Sequence, residues 1–561
     1  MRNSHPDSHF DWVTLLAIIL ISLSCIVLLV CFMFPIYPDE IQTRFILSRL
    51  PYDFPLRISA LPTCTSSFTQ PIPATMYMPG LINWAVLGNF YSFTTLRLVG
   101  ILIPLFWIAG LAFYLRNKVW NGLVHEAKNR GPSHLLRLTG FFVALFSVGV
   151  LPFFLVTNRQ EQLLLPSVVL LLFIFLASQR LEKTGQVWRK LGLTAIYFIA
   201  ISLTLYGHGK GLFLTPFFVI VGWQLFRLFN NRVLFASFMM LLGLHVIQHY
   251  IAYKFIYQCN DVPSLAELLQ SFSLDPAALF HNPNVFKHQA YQSLMNFGKY
   301  LHQLGFQAIT DSNYLPALPL DSFAKLANFF IKLNFIIAFF TILVLLPLRY
   351  YRIDVASRRF VTINAALLIL LVCLIISALF NLPKNWYDAG YVYSVLMIIW
   401  IFFIGENFRG IFQIPIARKI FIYLVCVALL SQGILIHRYL PAFWGGYIGP
   451  SISVVNYDHS KMLEDLTVAS RACDIDPVHS NKVIVDDYTY PYFHKSRQPM
   501  AFTYTLYGNN AAASQKFISE VDSDGLIARC SSIAAYMPFA KRAGDVCCVS
   551  KSDLNKLPLP Y

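Results

Sequence analysis

The chain has 561 residues, of which 57% are hydrophobic and 13% charged, and it carries a formal net charge of +15. A soluble domain has about twice that charged fraction, which excludes an ordinary globular enzyme and points to a polytopic α-helical membrane protein. Lysine and arginine gather in short segments between apolar runs, the pattern of the positive-inside rule, and this argues against nucleic acid as a partner.

A helix needs about 20 apolar residues to cross roughly 30 Å of hydrocarbon. The first run, 12–34, is too long for a signal-peptide core and lacks a small-residue cleavage site, so it reads as a retained helix. Further runs lie near 95–115, 137–156, 162–178, 191–206, 211–229, 233–252, 328–348, 360–380, 391–408 and 418–437, giving about eleven spans. The basic segments 116–137, 179–190, 230–232, 349–359 and 406–419 all fall on one side of that count, which is therefore the cytoplasmic side. The N-terminus is then cytoplasmic. The opposite side receives the loops 35–94 and 253–327, short hairpins at 157–161, 207–210 and 381–390, and the tail 438–561. The expected location is the cytoplasmic (inner) membrane, with the tail extracytoplasmic, or periplasmic.

The chain divides into a transmembrane domain, 1–437, and a small α/β domain, 438–561. In the tail, Lys482–Asp486 and Asp545–Ser550 read as strands, and Asn456–Ala472 and Ala511–Ser523 as helices. Cys64, Cys259, Cys473, Cys530, Cys547 and Cys548 all fall on the outer side, where disulfides form. Six cysteines allow fifteen pairings, and spacing alone selects none. Tyr488, Tyr490, Tyr492 and Phe493 read as core of the small domain, with sugar stacking as the other use of such rings.

Chemistry-bearing residues collect at the outer span ends. Asp39 and Glu40 follow the first helix, with Arg44 just beyond. Carboxylates at a membrane boundary are costly to desolvate and are functional candidates by default. Asp39 also fits an N-cap of an amphipathic interfacial helix, a role compatible with catalysis. Arg159 and Glu161 sit in the hairpin before the fourth span, His208 and Lys210 in the Gly-rich hairpin Gly207–Gly211, and Lys384 before the tenth span. Hairpins this short hold their cations at the membrane surface, where they either snorkel to lipid headgroups or meet an anionic substrate. Gly209 and Gly211 remove side-chain bulk beside Lys210 and permit close approach by a ligand. His245 and His249 are spaced i, i+4 without a third ligand and read as packing or hydrogen-bonding residues.

Three local sequences carry a resemblance to a known family: Pro38-Asp39-Glu40 in the first outer loop, Arg159-Gln160-Glu161 opening the fourth span, and Gly209-Lys210-Gly211 followed by an apolar run and Pro216. Together with the helical layout over 1–437, they resemble the GT-C glycosyltransferases that use polyprenyl-phosphate sugars, in particular bacterial relatives of protein O-mannosyltransferases and of the lipid A aminoarabinose transferase. The resemblance implies Asp39 or Glu40 as the base that deprotonates the acceptor and Lys210 as a donor-phosphate contact; Arg159 and, as a weaker third, Lys384 are expected to hold the same phosphate, with Glu161, His208 and Arg44 as supporting residues. The chain departs from the family's late Arg-Tyr-x-x-Pro segment, reading Lys384-Asn385-Trp386-Tyr387 in its place. Lys384 can supply a point charge there but no bidentate fork.

The expected function is transfer of a sugar from a polyprenyl-phosphate donor to a glycan, lipid or protein acceptor on the outer face, by an inverting glycosyltransferase. No cofactor is fixed, and a divalent metal is left open. A lipid-linked substrate transporter or flippase is the first alternative, although charges lie at span ends and no repeated halves are apparent. A lipid-linked glycan polymerase or ligase is the second, although 253–327 contains no arginine.

Overall fold

The computed structural model describes residues 12–32, 93–121, 133–157, 159–181, 186–256, 274, 278–306, 321–382, 384–407, 415–444, 460–480, 483–486, 489–493, 499–501, 516, 520, 523–533 and 537–554. Asp39, Glu40, Arg44, Cys64 and Cys259 lie outside them.

Among the described residues, each apolar run read from the sequence falls largely on helix. Among the described residues eight helices are long and apolar enough to cross a membrane. Phe93–Asn121 and Pro415–Trp444 are further helices of 29 and 30 residues, apolar over Gly100–Arg116 and Ile422–Arg438 among the described residues. The run 137–156 is split into Ser133–Phe146 and Leu151–Val156. At the break Gly149 adopts φ +55°, a conformation that favours glycine. Its N–H donates to the Ser431 hydroxyl at 2.8 Å, and the Val150 N–H donates to the Leu304 carbonyl at 3.1 Å. The chain bends here because backbone groups released from one helix are taken up by others.

Leu164–Leu181 and Trp386–Asn407 are the most deeply buried spans and form the middle of the bundle. Helices around them carry apolar residues on all faces. One face packs inward, as with Trp107, Phe154 and Phe217, and the other presents Phe106, Trp188 and Met240 outward. A helix that is apolar all round suits lipid on its free face. Close approach fixes the contacts at specific points. A Cβ on Gly390 would lie 2.8 Å from the Phe154 ring, so Trp386–Asn407 and Leu151–Val156 can meet only with glycine there.

The loop expected over 253–327 contains the helices Pro283–Met295 and Lys299–Gln303, and the helix Ser322–Arg349 begins within its last residues. This segment is pinned on the end of Ile363–Phe380. The Leu274 N–H donates to the Phe380 carbonyl at 2.9 Å, the Ser293 hydroxyl donates to the Leu379 carbonyl, and the Tyr300 hydroxyl donates to the Ala378 carbonyl at 3.3 Å.

In the tail, the helix Ser460–Ala472 accompanies a five-stranded sheet of β1 Val483–Val485, β2 Pro499–Ala501, β3 Gly525–Arg529, β4 Lys541–Ala543 and β5 Val546–Ser550. The strand order is β2-β1-β3-β5-β4, with β1 parallel to β2 and β3, and β5 antiparallel to β3 and β4. β1, β5 and the helix match the sequence reading; β2, β3 and β4 were not anticipated. Of the helix expected over Ala511–Ser523 only residues 516, 520 and 523 are described. Phe493 is fully buried, in keeping with a core role.

Cys547 and Cys548 are adjacent on β5, and successive strand residues face opposite sides of a sheet. They therefore take different partners: Cys547 bonds Cys530 and Cys548 bonds Cys473. The longer link spans 75 residues of sequence and ties β5 to the end of Ser460–Ala472. Cys473→Ser is expected to destabilise the tail by about 2–4 kcal/mol, with a correspondingly lower unfolding midpoint. Non-reducing peptide mapping of the wild-type chain checks the pairing and should recover both links.

Candidate functional site

Three helix junctions meet at one end of the bundle. The first is Arg159 with the 3-10 segment Gln160–Leu163. The second is His208 with the 3-10 segment Gly209–Leu214. The third is the link between Ile363–Phe380 and Trp386–Asn407. Each junction contributes charged residues to one buried cluster.

Glu161 lies at its centre and is 1% exposed. Arg159 grips it with two hydrogen bonds, from Nε to Oε2 at 3.1 Å and from Nη2 to Oε1 at 3.0 Å. The same oxygen Oε1 lies 3.3 Å from Lys210 Nζ and 3.4 Å from His208 Nε2. A planar guanidinium suits this forked arrangement in a way that a lysine does not. The guanidinium also stacks on the Tyr387 ring, 3.6 Å from its centroid.

Lys210 is held from two sides. Besides Glu161, its ammonium forms an ion pair with Asp388. Its backbone N–H donates to Nδ1 of His208 at 3.0 Å, which caps the 3-10 turn. That bond requires the Nδ1 lone pair, leaving the ring proton on Nε2, toward Glu161. Gly211 has a role other than the expected opening for a ligand. A Cβ there would lie 2.4 Å from the Thr204 carbonyl, so the space is filled by the preceding helix, and the glycine permits the turn that presents Lys210.

Asp388 sits in the first turn of Trp386–Asn407 and is 2% exposed. Its Oδ2 accepts from Asn381 Nδ2 at 2.7 Å and from the Asn385 N–H at 3.4 Å. The second bond is the return half of a capping box, with Asp388 three residues into the helix. Its Oδ1 faces Lys210.

Lys384 joins the same network but not in the expected way. Its three N–H groups donate to the Ser293 hydroxyl at 3.1 Å, the Ala378 carbonyl at 2.6 Å and the Asn381 carbonyl. An ammonium has three donors, and here all are occupied by the chain itself. Lys384 thereby closes the C-terminal end of Ile363–Phe380, where carbonyls lack helical partners and a cation is favoured. Burial pulls Lys384 down to about 8, against the opposing pull of Asp388.

The structure thus brings Arg159, Glu161, His208, Lys210 and Lys384 together and leaves Asp39, Glu40 and Arg44 outside the described residues. It adds Asp388, Tyr387 and Asn381, to which the sequence reading gave no role. The legible signal was the capping pattern Asn385-Trp-Tyr-Asp388 one junction away from Lys210. A further residue missed is Arg97, 2% exposed, whose Nη1 donates to the Cys31 carbonyl at 3.4 Å where the first helix ends. His245 is bonded to the Ser202 hydroxyl at 3.0 Å. Among the described residues no three His, Cys, Asp or Glu side chains are grouped to hold a metal.

No family model matches the chain, and no curated protein matches it. Solved structures similar to it include the Archaeoglobus fulgidus oligosaccharyltransferase in its apo form, at 13% identity and a TM-score of 0.43, covering 92% of this chain and 71% of that one. The Archaeoglobus fulgidus oligosaccharyltransferase AglB, solved with an inhibitory peptide and a dolichol-phosphate, is similar at 13% identity and a TM-score of 0.41, with the same coverage. A likeness of this size carries no weight for what this chain binds or transfers.

Replacing Lys384 with methionine strands two carbonyls and a hydroxyl, each lost partner costing about 1–3 kcal/mol. A lowered unfolding midpoint is expected. Because Lys384 releases its proton more readily folded than unfolded, the unfolded chain binds more protons between pH 8 and the ordinary lysine range. The stability of the wild type relative to Lys384→Met should therefore rise as pH climbs through that window, and thermal unfolding at pH 7 and 9.5 measures it.

Proposed function

We propose that this chain is a membrane glycosyltransferase that moves a sugar from a polyprenyl-phosphate donor to an acceptor on the outer side of the cytoplasmic membrane. The observation that carries this reading is the convergence of Arg159 and Lys210, from two separate hairpins, on one buried cluster at a helix-bundle end. Among the described residues that cluster contains three cations, Arg159, Lys210 and Lys384, against two carboxylates, Glu161 and Asp388. Arg and Lys form their strongest hydrogen bonds with phosphate and carboxylate groups. A lipid headgroup phosphate is the anion that arrives at such a depth without leaving the membrane.

In this mechanism Lys210 and Arg159 hold the donor phosphate and stabilise the charge it gains as the glycosidic bond to it breaks. Glu161 and the Tyr387 ring fix the direction of the Arg159 fork, and His208 fixes the turn that carries Lys210. Asp39 is proposed as the base that takes the proton from the acceptor hydroxyl, with Glu40 as its partner or replacement. Lys384 is proposed as a brace for the junction instead of a phosphate contact. Attack by the acceptor from the face opposite the phosphate gives inversion at the sugar carbon.

The charged groups of the cluster lie at the ends of spans, which favours an enzyme over a transporter whose ionisable groups occupy mid-membrane sites. Purified protein in liposomes with lipid-phosphate sugar and membrane glycan acceptors should yield product detectable by mass spectrometry. Asp39→Asn/Glu40→Gln, correctly folded, should lose about 10²–10⁴-fold in rate, and Lys210→Gln should raise the donor KM. A wild-type rate in the double carboxylate variant would remove these residues from catalysis. Movement of lipid-linked sugar across the bilayer without product would establish the transporter reading.

A further inference from the structure

Lys210 faces two carboxylates with different surroundings. Glu161 is engaged on both oxygens by Arg159, with His208 also beside it. Asp388 has its Oδ2 committed to Asn381 and Asn385, while its Oδ1 meets only Lys210 among the described residues. The Glu161 carboxylate is thus structurally tied, and the Oδ1 of Asp388 is the one strong acceptor that Lys210 can exchange for another. The ammonium is only 12% exposed on its side chain, so a charge stripped of Asp388 would find little water to replace it.

Resting on the phosphate-binding reading above, we infer that Asp388 is a resident counterion: it holds Lys210 charged and oriented in the empty site, and the donor phosphate takes its place on Lys210. The exchange has no covalent step. Lys210 keeps its hydrogen bond count, Asp388 keeps its two amide-type donors, and the phosphate gains a charge-assisted bond. Asp388 weakens binding of every phosphate at this point, donor and released lipid phosphate alike. It therefore acts as a positioning residue that promotes release, and its own negative charge sets the affinity.

This makes a prediction opposite to that of an ordinary structural ion pair. Breaking a purely structural pair loosens the site and weakens ligand binding. Removing a counterion that competes with the ligand tightens binding. The probe is a water-soluble short-chain isoprenyl phosphate, with binding measured by isothermal titration on the full-length protein in detergent. Asp388→Asn preserves shape and most of the capping box. It is expected to bind the probe about tenfold more tightly, the order expected for one unit charge a few ångströms away in a partly screened site. In turnover it should lower both the donor KM and kcat, since product leaves more slowly.

Asp388→Asn leaves Lys210 short of one partner and can cost folding. Lys210→Gln/Asp388→Asn removes both charges of the pair and provides the second arm. It should bind the probe more tightly than Lys210→Gln alone, in which Asp388 is left buried without its cation. Equal or weaker binding in both Asp388→Asn backgrounds, with the wild type binding normally, overturns the counterion role and leaves the phosphate site standing. Failure of the wild-type protein to bind the probe overturns both.

Discussion

The fold's polar end depends on one buried carboxylate. Glu161 lies buried at a junction between apolar helices at one end of the bundle, and an isolated charge there would cost several kcal/mol. The chain meets that cost with a forked Arg159 on the same hairpin and with Lys210 and His208 from the next. Because the partners come from different junctions, the ion cluster ties helix ends that are distant in sequence. Removing Glu161 alone would leave two cations facing each other, whereas a buried pair lost as a unit is far less damaging. The site is therefore coupled to the packing of the helices that present it.

The same helices carry a second polar cluster at their other end. Tyr114 and Lys118 both donate to Glu406, at 2.8 and 2.7 Å. Asn364 and Asn407 bond each other, Arg349 donates to Asn407, and Asp354 accepts from Thr362 and Asn364. Asp388 and Glu406 stand near opposite ends of Trp386–Asn407, about 27 Å apart at 1.5 Å per helical residue. That separation is close to the thickness of the hydrocarbon core. Charges thus sit in two layers with an apolar slab between them, which is the distribution a bilayer imposes.

Helix positions were legible because lipid demands long apolar runs, and such runs are visible without knowledge of partners. The break at Ser147–Gly149 was not, because it depends on Ser431 and Leu304, which are remote in sequence. The candidate cations were legible because short hairpins leave a charge nowhere to go. Their roles were less so. Lys384 looks like Lys210 in sequence, and only the acceptors around it distinguish a brace from an exposed ligand contact. Asp388 escaped notice because an acidic residue in the first turn of a helix has a sufficient explanation as a cap. Its second oxygen, facing Lys210, became visible only once the two hairpins were brought together. The short strands β2 and β4 were hidden for a related reason: three-residue strands show no period of their own and are defined by their neighbours.

The central claim is that Arg159 and Lys210 receive a lipid phosphate. Its most direct test is an electron cryomicroscopy map of the full-length protein with a non-hydrolysable polyprenyl-phosphate sugar in a lipid nanodisc. The account predicts phosphate density within hydrogen-bond distance of Lys210 Nζ and the Arg159 guanidinium. Phosphate density at another helix junction, with the Arg159–Glu161–Lys210–Asp388 cluster unchanged and no lipid beside it, would contradict it.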